Sequence, residues 1–245
     1  MKLLTALQLT WRALVTKDEQ AQFALAEKLC AFLYPTYKFS EFGRIFLNDH
    51  EFLRYYERFE GTRNYHSLDR KFTLSQLLKL TKTISGDTAE CGAYQGASSY
   101  LICEQNGGLG KTHHIFDSFA GLSQPTAMDG AYWQPGSLSS GEEVIRENLK
   151  AFPFVQYYKG WIPERFPEAA PFSFSFLHID VDLYQPTWDS LCFFYERMTP
   201  GGIILCDDYG FSTCPGAYQA MSTFFADKAE AIIHLPTGQA FIIKE

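Results

Sequence analysis

At 245 residues, with 46% hydrophobic and 16% aromatic content, the chain is long enough for one large α/β domain with an N-terminal extension. A formal net charge of -7, without a run of Lys or Arg, argues against nucleic acid or an anionic membrane surface as partner and leaves a small molecule as the expected one. The six cysteines show no CxxC spacing and several sit in apolar runs, where a thiol behaves as a small core residue, so a reducing cytoplasm is the expected compartment.

Leu4, Leu7, Trp11, Leu14 and Val15 form one stripe of an amphipathic helix, and Gln8, Thr10 and Arg12 break the apolar run a signal peptide would need. No other segment is long and apolar enough to span a membrane. Residues 1–82 read as a helical extension or lid, and residues 83–245 as a Rossmann-like domain. Within the extension, Ala21 to Leu33 is a clear helix and Tyr34-Pro35 a break. Then come Tyr37, Phe39, Phe42, Phe46, Phe52, Tyr55, Tyr56, Phe59 and Tyr65, which fit core packing or a subunit contact, with a substrate lid as the sharper alternative. Thr73 to Leu80, with Leu74, Leu77 and Leu78 on one face, leads into the sheet.

Thr88 to Cys91 is a strand candidate. The run Glu90-Cys91-Gly92-Ala93-Tyr94-Gln95-Gly96-Ala97-Ser98-Ser99 then turns into a helix through Leu101, Ile102 and Glu104. Glycine permits a tight turn and close approach of a ligand, and the amides that open the helix point into the crevice. The spacing is not GxGxxG, so a nicotinamide dinucleotide is not implied. Glu90, at the strand end, would repel a pyrophosphate and suits a cationic amine or ribose hydroxyls. The run His114-Ile115-Phe116 ends on Asp117, where a parallel strand would offer a carboxylate to a ribose, capping of the next helix being the competing role. Ser118 to Gly141 is a long polar loop, of a length that often serves as a lid. Glu142 to Leu149 reads as a helix, and Val155 to Tyr158 as a third strand.

Phe174 to Ile179 and Ile203 to Cys206 are short apolar runs of buried-strand type, the first followed by Asp180 and Asp182, the second by Asp207 and Asp208. Between them Pro186 and Thr187 open a helix with Trp188, Leu191, Cys192, Tyr195 and Met198 at helical spacing, which Thr199 to Gly202 ends. A right-handed crossover of that length makes the strands parallel, so the acids emerge together at the carboxyl edge where open α/β sheets place ligands. Four converging carboxylates repel one another, and a divalent cation resolves the repulsion. Hard oxygen ligands favour Mg2+, with Ca2+ or Mn2+ as alternatives, while acids that merely cap helices or face water are the plain reading. Strand alternation places Asp182 on the side of Asp180 if the extended conformation continues through Val181. Ala217 to Phe225 reads as a helix, and Ala231 to Leu235 with Gln239 to Ile243 as a closing hairpin. That makes seven strands, the last pair antiparallel.

Four motifs, Glu90 to Gly96, Phe116 to Gly121, His178 to Tyr184 and Gly201 to Tyr209, together resemble the macrocin O-methyltransferase family of S-adenosylmethionine-dependent enzymes. The match covers roughly residues 69–245. The resemblance implies an α/β, class I methyltransferase (Rossmann-like) fold with a seven-stranded, mostly parallel sheet. It also implies Mg2+-assisted methyl transfer to a hydroxyl of a small molecule, a sugar or glycosylated natural product. Glu90, Gly92, Gly96 and Asp117 fall on the family's cofactor positions, with Ser98 and Ser118 beside them as further cofactor candidates, and Asp180, Asp207 and Asp208 fall on its metal positions. Catechol O-methyltransferase, a more distant relative, carries a lysine three residues after the first metal acid. Leu183 stands there in this chain, so a different base is needed: Asp182 is the nearest titratable candidate, and Asp180 and Asp182 are the expected catalytic acids. A Mg2+-dependent phosphatase or sugar-nucleotide glycosyltransferase built on the same acids, and a non-catalytic cofactor-binding protein, are the alternatives. The N-terminal helices are the expected route to a homo-oligomer.

Overall fold

The computed structural model describes residues 2–33, 46–59 and 67–245; the Tyr34-Pro35 break and Tyr37, Phe39, Phe42 and Tyr65 lie outside the described residues. The chain forms two compact units, Met1–Arg54 and Tyr55–Glu245. In the first, helices α1 (Lys2–Leu14) and α2 (Glu19–Leu33) are joined through Asp18, whose carboxylate accepts the Ala21 N–H at 2.8 Å and pairs with Arg12 at 2.8 Å. That carboxylate satisfies an otherwise orphaned amide at the start of α2. Leu7, Trp11, Leu14 and Val15 of the expected stripe are exposed, while Ala13 and Ala21 are buried, because small side chains are what allow two helices to approach closely.

Helix α3 (His50–Phe59) crosses the division. In the second unit its Tyr55 and Phe59 are buried; the Tyr55 ring stacks on Tyr100 at 5.7 Å, and its hydroxyl donates to the Ala97 carbonyl at 2.7 Å. Core packing therefore accounts for this pair. Helix α4 (Leu68–Leu80) follows, burying Leu74, Leu77 and Leu78 as its periodicity predicts, and Lys71 as well. The unit that carries the sheet begins at Tyr55 and so includes α4.

Seven strands then form one sheet: β1 (Asp87–Cys91), β2 (His113–Asp117), β3 (Val155–Lys159), β4 (Phe174–Ile179), β5 (Met198–Cys206), β6 (Ile233–His234) and β7 (Ala240–Ile243), in the order β3-β2-β1-β4-β5-β7-β6. The pairs among β1 to β5 are parallel, and β7 runs antiparallel to both β5 and β6. Helices α5 (Ala97–Asn106), α6 (Glu142–Asn148), α7 (Tyr184–Phe194) and α8 (Pro215–Phe224) complete the connections. Beneath the sheet, Phe116, Phe166, Phe174 and Phe194 are fully buried and meet edge to face at 5.0–5.6 Å. Each such pair contributes about 0.5–1.5 kcal/mol beyond the area it buries. One helix is shorter than its periodicity suggests: α7 ends at Phe194, and Met198 opens β5 opposite Phe174, so the sheet rather than the helix buries its side chain.

From β1 the chain builds outward to β2 and β3, then returns to lay β4 on the other side. The order reverses between β1 and β4, and a crevice opens at their carboxyl ends.

Candidate active site

Two glycines shape the turn after β1 for different reasons. Gly92 has φ +80, and a Cβ there would lie 2.0 Å from the Asp180 carbonyl oxygen, so only glycine lets this turn pass the end of β4. Gly96, φ +87, opens α5 and backs onto Ile145 of α6, 2.8 Å from where its Cβ would be. Asp117, ending β2, holds the turn from the side: it accepts N–H bonds from Ala93 at 2.7 Å, Tyr94 at 3.2 Å and Phe119 at 2.7 Å. Burial outweighs those bonds and raises its carboxyl above the usual carboxylate range. Gly92, Ser98, Asp117 and Ser118 line a cavity of about 270 Å³, whereas Gly96 and Glu90 stand behind it.

Asp180, Asp182 and Asp208 continue the cavity wall beyond the glycine turn, the Asp180 carbonyl lying against Gly92. Asp182 does not continue the strand. It adopts φ +59 in a turn closed by Leu183 N–H to the Val181 carbonyl at 2.6 Å, and its own N–H donates to Asp208 Oδ2 at 2.9 Å. The expected alternation is thus replaced by a three-residue turn, which brings Asp182 to the cavity by a sharp reversal. Burial, reinforced by repulsion from Asp180, raises the Asp182 carboxyl; burial and then repulsion from Asp182 and Asp180 raise that of Asp208. The Cys214 thiol donates to Asp182 Oδ1 at 3.3 Å.

Asp207 lies apart from this wall, fully buried. It pairs with Arg70, accepts from Gln239 Nε2 at 2.5 Å, and has His178 Nε2 at 3.3 Å. Among the described residues, potential metal-ligand atoms fall in two sets within 4.8 Å: His178, Asp180 and Asp207, and Asp182, Asp208 and Cys214. The three expected metal acids are therefore divided between them. The carboxylates suit a hard cation, since Asp182 and Asp208 are buried beside Asp180 and raised partly by its charge, a repulsion that a divalent ion offsets.

Glu90 is 1% exposed. The Ser99 hydroxyl donates to it, His178 Nδ1 lies 2.8 Å from Oε1, and His113 Nε2 is 3.6 Å from Oε2. Burial alone would raise its pKa, but the hydrogen bonds and charge of the two histidines reverse that and bring it to about 2. Its carboxylate belongs to the interior of the sheet rather than to the cavity wall. The row His113, Glu90, His178, Asp207 and Gln239 crosses β2, β1 and β4 to the ends of β5 and β7 as one buried polar chain.

One group at the cavity escapes the sequence. Lys71, 2% exposed, reaches the cavity from α4 and donates to Ser98 Oγ at 2.6 Å, with Asp180 Oδ2 at 4.0 Å. Burial pushes its amine down, against the pull of Asp180. Nothing in its surroundings in the chain separates it from a surface lysine. Asp129 is different, because Thr126-x-x-Asp129 is a readable capping box, which the structure forms. Asp129 also accepts the Tyr184 N–H at 2.6 Å, pinning the long loop to the start of α7. Leu122, Tyr132, Trp133 and Leu138 of that loop line the cavity.

The macrocin-O-methyltransferase (TylF) family matches residues 71–234. A demethyldecarbamoylnovobiocin O-methyltransferase of Streptomyces niveus is 28% identical over 167 residues, 61% of this chain and 63% of that protein. An 8-demethyl-8-(2,3-dimethoxy-alpha-L-rhamnosyl)-tetracenomycin-C 4'-O-methyltransferase of Streptomyces olivaceus is 27% identical over 152 residues, 56% and 58% of the two. The chain spans about three-fifths of the length of these curated relatives. Among solved structures, the O-methyltransferase NovP superposes with TM-score 0.61 at 24% identity, covering 73% of this chain and 82% of that one. A Bacillus cereus O-methyltransferase in complex with SAH does so with TM-score 0.52 at 13% identity, covering 90% and 97%. The fold is that of the class I O-methyltransferases. Four motifs at the carboxyl edge of this sheet, and a family match over two-thirds of its length, place the chain in the macrocin-O-methyltransferase family.

Proposed function

We propose that the chain is an S-adenosylmethionine-dependent O-methyltransferase acting on a hydroxyl of a small molecule, a sugar or glycosylated natural product. The observation that carries the reading is one cavity lined by the glycine turn with Asp117 and, beside it, by Asp180, Asp182 and Asp208. The glycine turn with Asp117 suits a nucleoside with its ribose, and the three acids beside it suit an acceptor hydroxyl whose proton must leave. The rhamnosyl acceptor in the name of one relative supports a sugar as the substrate class, and the SAH complex of a structural neighbour supports the cofactor. Family membership favours this reading over phosphatase, glycosyltransferase or non-catalytic binding.

Asp180, Asp207 and Asp208 are the acids that would hold a Mg2+ ion; Asp180 already stands with Asp207, while Asp208 groups with Asp182, and Asp207 would have to give up its Arg70 partner. Bound in this cavity, the cofactor would supply an electrophilic methyl group and leave as the thioether, and a cation would lower the pKa of a hydroxyl beside it. Asp182 is placed to take the proton of that acceptor hydroxyl on its carboxylate. Trp133 and the more exposed Tyr132 line the cavity from the long loop and would help keep water from a bound acceptor. Calorimetry with S-adenosylhomocysteine, and methyl transfer to a panel of deoxysugar glycosides with and without EDTA, test the reading. Micromolar binding and chelator-sensitive turnover are expected. No binding of the nucleoside would sink the methyltransferase, and full turnover in EDTA would remove only the metal.

A further inference from the structure

The turn that carries Asp182 fixes its backbone, with the residue's own N–H on Asp208 and the Leu183 N–H closing on the Val181 carbonyl. Nothing in that turn fixes the side chain. Among the described residues one donor reaches the Asp182 carboxylate, the Cys214 thiol at 3.3 Å from Oδ1. A carboxylate at a cavity edge can turn about both of its side-chain torsions, so its direction depends on that bond.

The same sulfur is engaged from its other side. Trp133 of the long loop donates its indole N–H to Cys214 Sγ at 3.4 Å, and Trp133, Asp182 and Cys214 all line the cavity. A thiol is a donor and an acceptor at once, so one atom serves both neighbours. Cys214 is 3% exposed and immediately precedes α8. The start of that helix is itself held close, since a Cβ at Gly216 would lie 2.0 Å from Asp129 Oδ1, the acid that pins the loop to the first amide of α7. The loop is therefore fastened at Asp129 and again at Trp133, and the second fastening passes through the atom that holds Asp182. Cys214 also stands within one of the two sets of potential metal ligands, but a thiol is a poor partner for a hard cation.

Resting on the reading of Asp182 as proton acceptor, we infer that Cys214 is a positioning residue for methyl transfer: its thiol aims the Asp182 carboxylate at the acceptor hydroxyl, and its sulfur ties that acid to Trp133. The loop beside the acceptor and the group that deprotonates it are then set together. Trp133 consequently acts on kcat through its N–H, and not only on the acceptor KM through its ring, because a small misplacement of a reacting group is costly to rate.

The test is steady-state methyl transfer to whichever deoxysugar glycoside of the panel turns over fastest, at saturating S-adenosylmethionine and Mg2+, with calorimetry of Mg2+ and S-adenosylhomocysteine alongside. For Cys214→Ala the inference expects kcat to fall about 10-fold, the scale of one hydrogen bond to a charged group, with acceptor KM and both affinities unchanged. Cys214→Ser, which restores a donor, should recover most of the loss. Trp133→Phe, which keeps a ring and removes the N–H, should lower kcat by less. In an Asp182→Asn background Cys214→Ala should cost nothing more, since there is no longer a proton acceptor to aim. Wild-type kcat with only a lowered melting temperature, a loss that persists undiminished in the Asp182→Asn background, or loss of Mg2+ binding would each overturn the inference. Should Cys214→Ala not fold, Cys214→Ser and Trp133→Phe decide: kcat unchanged in Trp133→Phe would overturn the link to the loop. A wild-type protein that methylates none of the panel, or an Asp182→Asn variant with wild-type turnover, would instead overturn the reading beneath the inference, and the inference with it.

Discussion

At Asp182 a positive φ, uncommon for any residue with a side chain, coincides with a carboxylate facing the cavity, and such conformations persist only where surrounding bonds over-determine them. Here the bond is from its own N–H to Asp208, 26 residues along the chain. Asp182→Asn keeps the shape and that backbone bond while removing the proton acceptor. Turnover is expected to fall about 10²- to 10⁴-fold, the usual worth of a general base, with S-adenosylhomocysteine affinity unchanged. Near wild-type turnover in the variant would reassign Asp182 to orienting a ligand. The sequence places this acid at the sheet edge but cannot supply its turn, because period-two alternation is local and the partner that breaks it is not. Lys71 is hidden for a related reason: its position in an amphipathic helix fits a solvated lysine, and only the packing of α4 buries it.

Elements were more legible than residues. The runs read as β1, β2, β4 and β5 match the observed strands to within a residue at their carboxyl ends, since a buried parallel strand is mostly apolar and its polarity rises where the ligand edge begins, even with Glu90 and His178 buried inside it. Their amino-terminal ends are less sharp: β5 starts five residues before the expected Ile203, through Thr-Pro-Gly-Gly, which reads locally as a turn. The long loop is legible as a length and not as a shape. What gives it shape is Asp129, buried at 2% exposure, which closes the Thr126 capping box and accepts the first amide of α7. Asp129→Ala removes both roles. The expected cost is about 1–2 kcal/mol of stability, the scale of a lost N-cap, together with a raised KM for the acceptor as Tyr132 and Trp133 lose their anchor. A lowered melting temperature with the acceptor KM unchanged would confine Asp129 to stability.

Across the whole molecule, the polar chain from His113 to Gln239 sits in the middle of the sheet and ties acid stability to the architecture of the site. The sign follows from two shifts. His113 is held below its ordinary value of 6.5 by burial, so as pH falls through that value the unfolded chain takes up a proton that the folded state resists, and stability drops. Glu90 is brought from 4.5 to about 2; its contribution is complete above pH 4.5 and is lost as pH falls through about 2. The full shift corresponds to about 3 kcal/mol at 1.36 kcal/mol per unit. Both effects act in the same direction, so unfolding free energy measured by urea titration is expected to decline from about pH 6.5 downward and more steeply below 4.5. Glu90→Gln retains most of the shape and removes the charge that the histidines face. It should be less stable than wild type at pH 7 and should lose the steep segment below pH 4.5, the two curves converging toward pH 2. Parallel curves for the two proteins would mean that acid sensitivity arises elsewhere, and that Glu90 is held by packing and neutral hydrogen bonds alone.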